Sequence, residues 1–107
     1  MAIPPVEELN LLHGKICQAI GDPKRILILY ALYEEPRHVT ALSKALDLPQ
    51  PTVSRHLGTL RERALVKAER DGAAVVYRLA DDRIIMVLDI MRELLRDTLN
   101  TQNDALI

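Results

Sequence analysis

Two short amphipathic segments, and the hairpin signature that follows them, constrain this chain more than any other feature. The second segment carries a narrow apolar stripe at helical spacing, formed by Val53, Leu57, Leu60 and Ala64. The first begins at Thr40, a predicted N-cap, and ends at Leu48 because the residue before a proline is pushed out of the helical region. The pattern predicts two helices joined by a tight turn, with Pro51 in the first turn of the second.

A β-hairpin is predicted directly after the second helix. Asp71-Gly72 supplies two residues that tolerate positive φ. A strand from Val66 to Arg70 precedes them, and a β-branched and aromatic strand from Val75 to Tyr77 follows. Helix, turn, helix and hairpin in this order form a winged helix-turn-helix. In such a unit the second helix enters the major groove of double-stranded DNA, and the hairpin, or wing, lies beside it.

Basic charge is concentrated in the same unit. Residues 50–79 contain six Lys and Arg against three Asp and Glu, a local excess of +3 in a chain whose net charge is −1. Basic residues grouped on a recognition face favour nucleic acid, whereas any single one is more simply a solvated surface charge. The predicted DNA contacts are Gln50, Pro51, Thr52, Ser54, Arg55, His56 and Thr59 on the second helix and Arg70 on the wing.

Three further helices are predicted around this unit. Gly21 stops the first, Asp22 is the N-cap of the second, and the second is apolar nearly all round, which predicts a buried central helix. The whole chain, residues 1–107, is predicted to be one domain. Its fold class is mainly α with a small β-hairpin wing, in the order α1-α2-α3-α4-β-β-α5. The outer helices span residues 5–20 and 82–100, Pro36-Arg37 is a loop, and residues 101–107 are a loose tail.

The apolar stripe of the last helix is too wide for one small domain to cover, and the first helix has the same surplus. A two-fold dimer in which helices 5–20 and 82–100 form the interface would bury both. It would also present two recognition helices to the half-sites of a palindromic operator. The alternative is that the terminal helices fold back on their own domain.

Composition and motifs exclude several classes. A single cysteine excludes an internal disulfide framework, and the longest apolar run, Ile26 to Tyr33, is too short to span a bilayer. With no recognisable signal peptide, a cytoplasmic protein without a membrane partner is expected. No Ser-His-Asp set or glycine-rich phosphate loop is visible, so an enzyme is not expected. A winged helix that binds protein rather than DNA remains the alternative function.

Three stretches together resemble the ArsR/SmtB family of small bacterial repressors: GDPKRILIL, QPTVSRHLGTLRERALV and ERDGAAVVYRL. The resemblance runs from about Leu9 to Leu99. It implies a winged helix-turn-helix homodimer with its outer helices at the interface, and a repressor that leaves DNA when an inducer binds. The chain departs from the family pattern at Ala64, where glycine is frequent, and at Ala73 and Ala74, where a basic wing residue is frequent.

The metal and thiol sites that the family implies lack their ligands here. The segment HVTALSKALDL has no cysteine for a soft metal. On the last helix Asp82 fits one slot of a zinc set, but Ile84, Leu95 and Thr98 occupy the others. A sensing thiol pair of the family has one cysteine near the end of the second helix, where Tyr30 stands here, and one on the last helix, which has none. No disulfide bridge within one subunit is therefore expected. No metal and no cofactor are therefore predicted, and the inducer is unknown.

Cys17 follows His13 by four residues, so the two side chains can meet on one helix. Cys17 is most simply a small buried hydrophobe, with His13 at the surface. The alternative is a sensing pair, either a reactive thiol or half of a soft-metal or haem site completed across the dimer. His38, in a loop, is not expected to be a ligand.

Overall fold

The computed structural model describes residues 2–106 of the 107, with side chains for residues 2–103. Over that range the chain forms a mainly helical domain with a small antiparallel sheet, as predicted. The helices are α1 (Val6–Leu12), α2 (Pro23–Glu34), α3 (Val39–Leu46), α4 (Gln50–Glu62) and α5 (Arg83–Leu106); the strands are β1 (Arg37–His38), β2 (Val66–Asp71) and β3 (Ala74–Leu79).

The first helix has the predicted extent but is not a regular α-helix. After α1 the chain continues as a π-helical turn, His13–Cys17, and then a 3₁₀ turn, Ala19–Gly21. The π turn is closed by the bond from the Gln18 N–H to the His13 carbonyl, 2.9 Å long. The helical stretch ends at Gly21, as predicted. Gly21 does not adopt a left-handed conformation, since the only glycine with positive φ among residues 2–106 is Gly72.

Helix α2 begins as the sequence predicts. The Asp22 carboxylate accepts a 2.8 Å hydrogen bond from the Lys24 N–H, and Pro23 occupies the first turn. Ile28 and Leu29 are fully buried, so α2 lies at the centre of the core. However, Leu27 and Tyr33 on its other side are about half exposed. The prediction of a helix buried nearly all round was therefore too broad.

The segment predicted as a loop at Pro36-Arg37 contains the short strand β1. Arg37 pairs with Tyr77 and His38 with Val76, which makes β1 the neighbour of β3 in a sheet ordered β1-β3-β2. His38, not Thr40, is the residue that precedes α3. A two-residue strand has no periodicity of its own, so only its pairing with a distant strand reveals it.

Both helices of the helix-turn-helix end in the same way. Asp47 after α3 and Ala64 after α4 adopt left-handed φ angles of 53° and 61°. In each case the next residue donates to a carbonyl five positions back, Leu48 to Ser43 and Leu65 to Leu60. These are Schellman motifs, which normally favour glycine. Ala64 is thus a turn residue beyond the end of α4 and not the last residue of its apolar stripe.

The wing is a two-residue hairpin between β2 and β3. Asp71 pairs with Ala74, so the turn residues are Gly72 and Ala73, one position later than predicted. Gly72 has a φ of 65°, which a residue without Cβ adopts at no steric cost. Below the wing, the Ala80 N–H donates to the Leu65 carbonyl at 3.0 Å and ties the hairpin to the end of α4.

Helix α5 packs its first turns on the core and then leaves it. Ile84, Ile85 and Leu88 are buried, and the Tyr30 hydroxyl of α2 donates to the Asp89 carboxylate at 2.5 Å. From Asp89 to residue 103 every side chain is exposed within the chain. The helix continues through Leu106, so the predicted loose tail was wrong for residues 101–106, and Ile107 lies outside the described residues.

The outer helices carry a large uncovered apolar surface, which we call the terminal apolar surface. Within the described residues α1 has no buried side chain, and the exposed face of α5 is apolar over several turns. The terminal helices therefore do not fold back to cover each other in the single chain. The surface consists of Val6, Leu9, Leu11 and Leu12 of α1 and Met86, Val87, Ile90, Met91, Leu94, Leu95 and Leu99 of α5. No helix in the described part of the chain is long and apolar enough to cross a membrane.

The left-handed conformation of Ala64 predicts that Ala64→Gly stabilises the protein. A Cβ in this region costs about 1–2 kcal/mol, and the greater freedom of glycine in the unfolded chain offsets about 0.5–1 kcal/mol of the gain. We expect the free energy of unfolding in urea to rise by about 0.5–1 kcal/mol. The matched control Ala45→Gly, at an exposed position inside α3, should lower it by about 1 kcal/mol. A loss of stability in Ala64→Gly would contradict the argument.

Candidate nucleic-acid interface

Helix α4 has one buried and one exposed face. Its buried side is anchored by Val53, Leu57 and Leu60, each fully removed from solvent. The opposite side is polar and accessible. Among the predicted DNA contacts there, Gln50, Pro51, Ser54 and Arg55 are exposed, and Thr52 and Thr59 are partly exposed. Thr59 also donates its hydroxyl to the Arg55 carbonyl, 3.4 Å away.

One predicted contact lies on the wrong side of the helix. The side chain of His56 is only 5% exposed, beside Leu57 on the inner face. Its ring faces α2 and not the groove-facing surface, so we leave it out of the DNA contacts. The prediction failed because His56, a polar residue next to the apolar stripe, was assigned to the solvent-exposed side. Its burial is possible because Arg25 of α2 lies within hydrogen-bond distance of its ring.

Several basic side chains of α4 and β2 are free of carboxylates. Over residues 2–103, Arg55, Arg61, Lys67 and Arg70 have no acidic partner within 4.0 Å. By contrast, Arg78 on β3 is paired with Glu69 at 3.1 Å. The positive charge of α4 and β2 therefore remains available to an anionic partner.

The N-terminus of α4 adds to this potential. Pro49 precedes the helix and Pro51 lies in its first turn; no side chain of the described residues caps it. The remaining N–H groups at the helix start are therefore open to an external acceptor, and the helix dipole favours an anion there.

The wing is held to the domain through His38. Its Nδ1 lies 3.0 Å from the Val75 carbonyl, and its Nε2 lies 3.6 Å from the Asp71 carboxylate at the hairpin end. These contacts join the residue before α3 to both strands of the wing, which carries exposed Arg70 near its tip.

Gly58 is a feature that the sequence reading missed. It lies in the middle of α4 on the exposed side, and a Cβ built there would meet nothing within 4 Å inside the protein. Glycine inside a helix costs about 1 kcal/mol relative to alanine, and internal packing gives no reason for it. A flat spot at the centre of the recognition face is suited to close approach by an external backbone.

Behind this face, Arg25 joins three elements. Its Nε and Nη2 donate to the carbonyls of Ala19 and Gln18 at the end of the first helix, at 2.5 and 2.9 Å. Its Nη1 lies 3.4 Å from Nδ1 of His56 and 3.9 Å from the Asp22 carboxylate. Burial lowers the pKa of His56 below its ordinary value. The cationic Arg25, Arg55 and Lys24 act in the same direction, and Asp22 opposes them.

The two residues considered for sensing are both at the surface. Cys17 is exposed, which contradicts the simpler expectation of a buried hydrophobe, and His13 is exposed as well. They lie at the two ends of the π-helical turn. Within the described residues there is no group of three or more His, Cys, Asp or Glu side chains placed to hold a metal ion.

Comparisons with known proteins identify the family. Residues 22–68 match the model of the bacterial regulatory protein, arsR family. The HTH-type transcriptional repressor SmtB of Mycobacterium tuberculosis is 42% identical over 87 residues, which are 80% of this chain and 64% of that protein. This chain thus spans less than two thirds of that relative's length. The uncharacterized HTH-type transcriptional regulator MJ1325 of Methanocaldococcus jannaschii is 37% identical over 82 residues, 76% of this chain and 92% of that protein.

A solved structure shows the same fold. The crystal structure of Rv0081 from M. tuberculosis superposes with a TM-score of 0.77 and 31% identity, covering 94% of this chain and 98% of that one. The predicted resemblance and the winged helix-turn-helix fold are both confirmed. The chain belongs to the ArsR family of bacterial regulatory proteins.

Proposed function

We propose that this protein is a sequence-specific DNA-binding transcription regulator that acts as a repressor. The observation that carries the proposal is the exposed polar face of α4, with unpaired Arg55 on it and the wing beside it. Membership of a family of regulatory proteins, with a named repressor among the relatives, favours DNA over the alternative of a protein-binding winged helix. The same membership gives no reason to expect an enzyme. A cytoplasmic location stays a prediction.

The proposed contacts on α4 and on the wing have different roles. Ser54 and Arg55, with Gln50 and Thr52 at the helix start, would enter the major groove, where a guanidinium can bind guanine through two hydrogen bonds. Pro51 and Thr59 lie about one helical turn before and after Arg55 on the same face. Arg70 on the wing would contact a phosphate or the adjacent minor groove.

We also propose that the working unit is a homodimer joined through the terminal apolar surface. Among the described side chains, one chain leaves seven large apolar ones of α5 and four of α1 uncovered, and an apolar patch of that kind marks an interface. A two-fold arrangement presents the same surface from both subunits. It would set two α4 helices on successive half-sites of a palindromic operator.

Removing Arg55 and Arg70 should have different effects on DNA binding. Arg55→Ala should weaken binding to a duplex from the protein's own promoter by about 1–3 kcal/mol and reduce discrimination against a shuffled duplex. Arg70→Ala should weaken both duplexes equally and lower the slope of log affinity against log salt by about 1. The measurement is fluorescence anisotropy at several salt concentrations.

The control for these variants is Arg83→Ala. It removes an exposed arginine that is paired with Asp81 at the start of α5, outside the helix-turn-helix and wing, and should change promoter affinity little. Unchanged promoter binding by Arg55→Ala would refute its assignment to the groove. Promoter binding that is insensitive to salt would refute DNA binding as proposed.

A charge on the terminal apolar surface should separate the subunits without unfolding them. Leu94 is 61% exposed in the single chain, so Leu94→Glu should keep the fold, yet in a dimer it would bury an unpaired carboxylate. Sedimentation should give a dimer for the wild type and for Arg96→Glu, and a folded monomer for Leu94→Glu. Leu88 is not suitable for this test, because it is 2% exposed in the core of one chain. A monomeric wild type would remove the argument.

The exposure of Cys17 keeps the thiol-responsive alternative open as a proposal. If a thiol reagent or oxidant acts as an inducer, it must act through Cys17, alone or with the thiol of the second subunit, since the chain has no other cysteine. We expect Cys17 to react with a thiol reagent in the native protein. Promoter binding under oxidant and persulfide should be lost in the wild type and kept in Cys17→Ser. An equal response of both proteins, or a thiol that reacts only after unfolding, would assign Cys17 no sensing role.

Zinc and arsenite are expected to leave promoter binding unchanged. Three of the four zinc slots on α5 are Ile84, Leu95 and Thr98, and a chelating thiol set needs more than one cysteine. This stays a prediction, and titration of the promoter complex with either ion tests it.

A further inference from the structure

Arg25 and His56 form a partly buried link between the C-terminal end of the first helix and α4, the proposed recognition helix. Arg25 starts from α2, holds the last carbonyls of the first helix with two of its nitrogens, and reaches His56 of α4 with the third. His56 directly follows Arg55 in the sequence, so the position of its ring on the inner side is coupled to the direction of Arg55 on the outer side.

The contact between the two side chains favours the neutral state of His56. A guanidinium carries only donors, so Nδ1 of His56 can meet Arg25 favourably only as an unprotonated acceptor. The ring must then be neutral, with its proton on Nε2. At 3.4 Å this hydrogen bond is long. Which atom accepts still matters, because a proton on Nδ1 would turn this acceptor into a second cationic donor that points at Arg25.

Most of the charged groups around the ring disfavour the positive charge that a proton on Nδ1 would add. Lys24 and Arg25 on α2 and Arg55 on α4 all oppose it, and only Asp22 favours it. The Asp22 carboxylate is already engaged, since it caps α2 through Lys24 N–H and lies 3.9 Å from Arg25. With the ring only 5% exposed, little water is available to solvate an added charge.

We propose that Arg25 and His56 are positioning residues that hold the recognition helix against the end of the first helix only while His56 is neutral, so that mild acidification weakens operator binding. This inference rests on the proposed DNA-binding function. In a dimer joined through the outer helices, the direction of α4 relative to the first helix sets the spacing of the two recognition helices. Loss of the link would therefore mismatch the half-sites.

The expected direction is opposite to the general effect of acid on a DNA-binding protein. Protonating surface groups adds positive charge and strengthens contact with phosphate. A buried histidine that must stay neutral weakens binding, by up to about tenfold per subunit for each pH unit below its pKa. The two effects can be told apart by sign.

The experiment measures the affinity for the promoter duplex at constant ionic strength from about pH 8 to about pH 5, the range in which histidine titrates. The wild-type dissociation constant should rise about tenfold. His56→Asn offers a short acceptor near the position of Nδ1 and cannot be protonated, so its affinity should stay level or improve on acidification. His13→Asn, which removes an exposed histidine, should keep the wild-type weakening.

A second variant and a spectroscopic measurement keep the test independent of how His56→Asn folds. Arg25→Lys retains the charge but replaces a planar fork with a single point donor, and should lose affinity already at pH 8. Nitrogen NMR of the wild-type imidazole rings should show His56 as the Nε2–H tautomer, with a pKa below the ordinary value for histidine.

The outcomes separate the two proposals. If the wild type binds no promoter DNA at pH 8, the proposed function fails, and the link is then decided by the NMR tautomer alone. If DNA binds but affinity is flat or rises as pH falls, or His56→Asn weakens in parallel with the wild type, the positioning role is overturned. A His56 ring protonated at Nδ1 at neutral pH overturns the link itself.

Discussion

The burial of one face of α4 is the constraint on which the rest of the structure depends. Val53, Leu57 and Leu60 are fully removed from water and join the cluster formed by Ile28, Leu29 and other buried residues. Burying side chains of this kind stabilises a fold by about 1.5–3 kcal/mol each. Because these three positions lie on one side of α4, their burial leaves the polar residues of the other side facing outward. The recognition surface is thus a consequence of the core.

Features that depend only on a few neighbouring residues could be predicted from the sequence. Asp22 and Pro23 start α2, a glycine makes the wing turn, and the spacing of α4 separates its two faces, all by local chemistry. Errors of one residue occurred where two neighbours compete for one role. Asp71-Gly72 was chosen for the turn that Gly72-Ala73 makes.

Features that depend on a distant partner could not be predicted. Strand β1 exists because β3 pairs with it, and His56 is buried because Arg25 reaches it from α2. Ala64 takes a left-handed conformation because the chain must turn back toward β2, although its side chain does not favour that conformation. For the candidate site, most of the predicted DNA contacts are exposed or partly exposed, and their contact with DNA stays a prediction.

The π-helical turn at His13–Cys17 divides the first helix into an exposed half and a half that packs on the core. Before it, Val6 and Leu9 are exposed and belong to the terminal apolar surface; after it, Ile20 is buried in the chain's own core. In a regular α-helix each residue advances the side-chain direction by about 100°. The extra residue of the π turn therefore rotates the first half about the helix axis, relative to the second half, by about that amount. A deletion of one residue here would leave both halves helical and both apolar. It would nevertheless rotate the half that carries part of the terminal apolar surface away from its present direction. The length of this short turn therefore sets the orientation of that surface relative to the domain core.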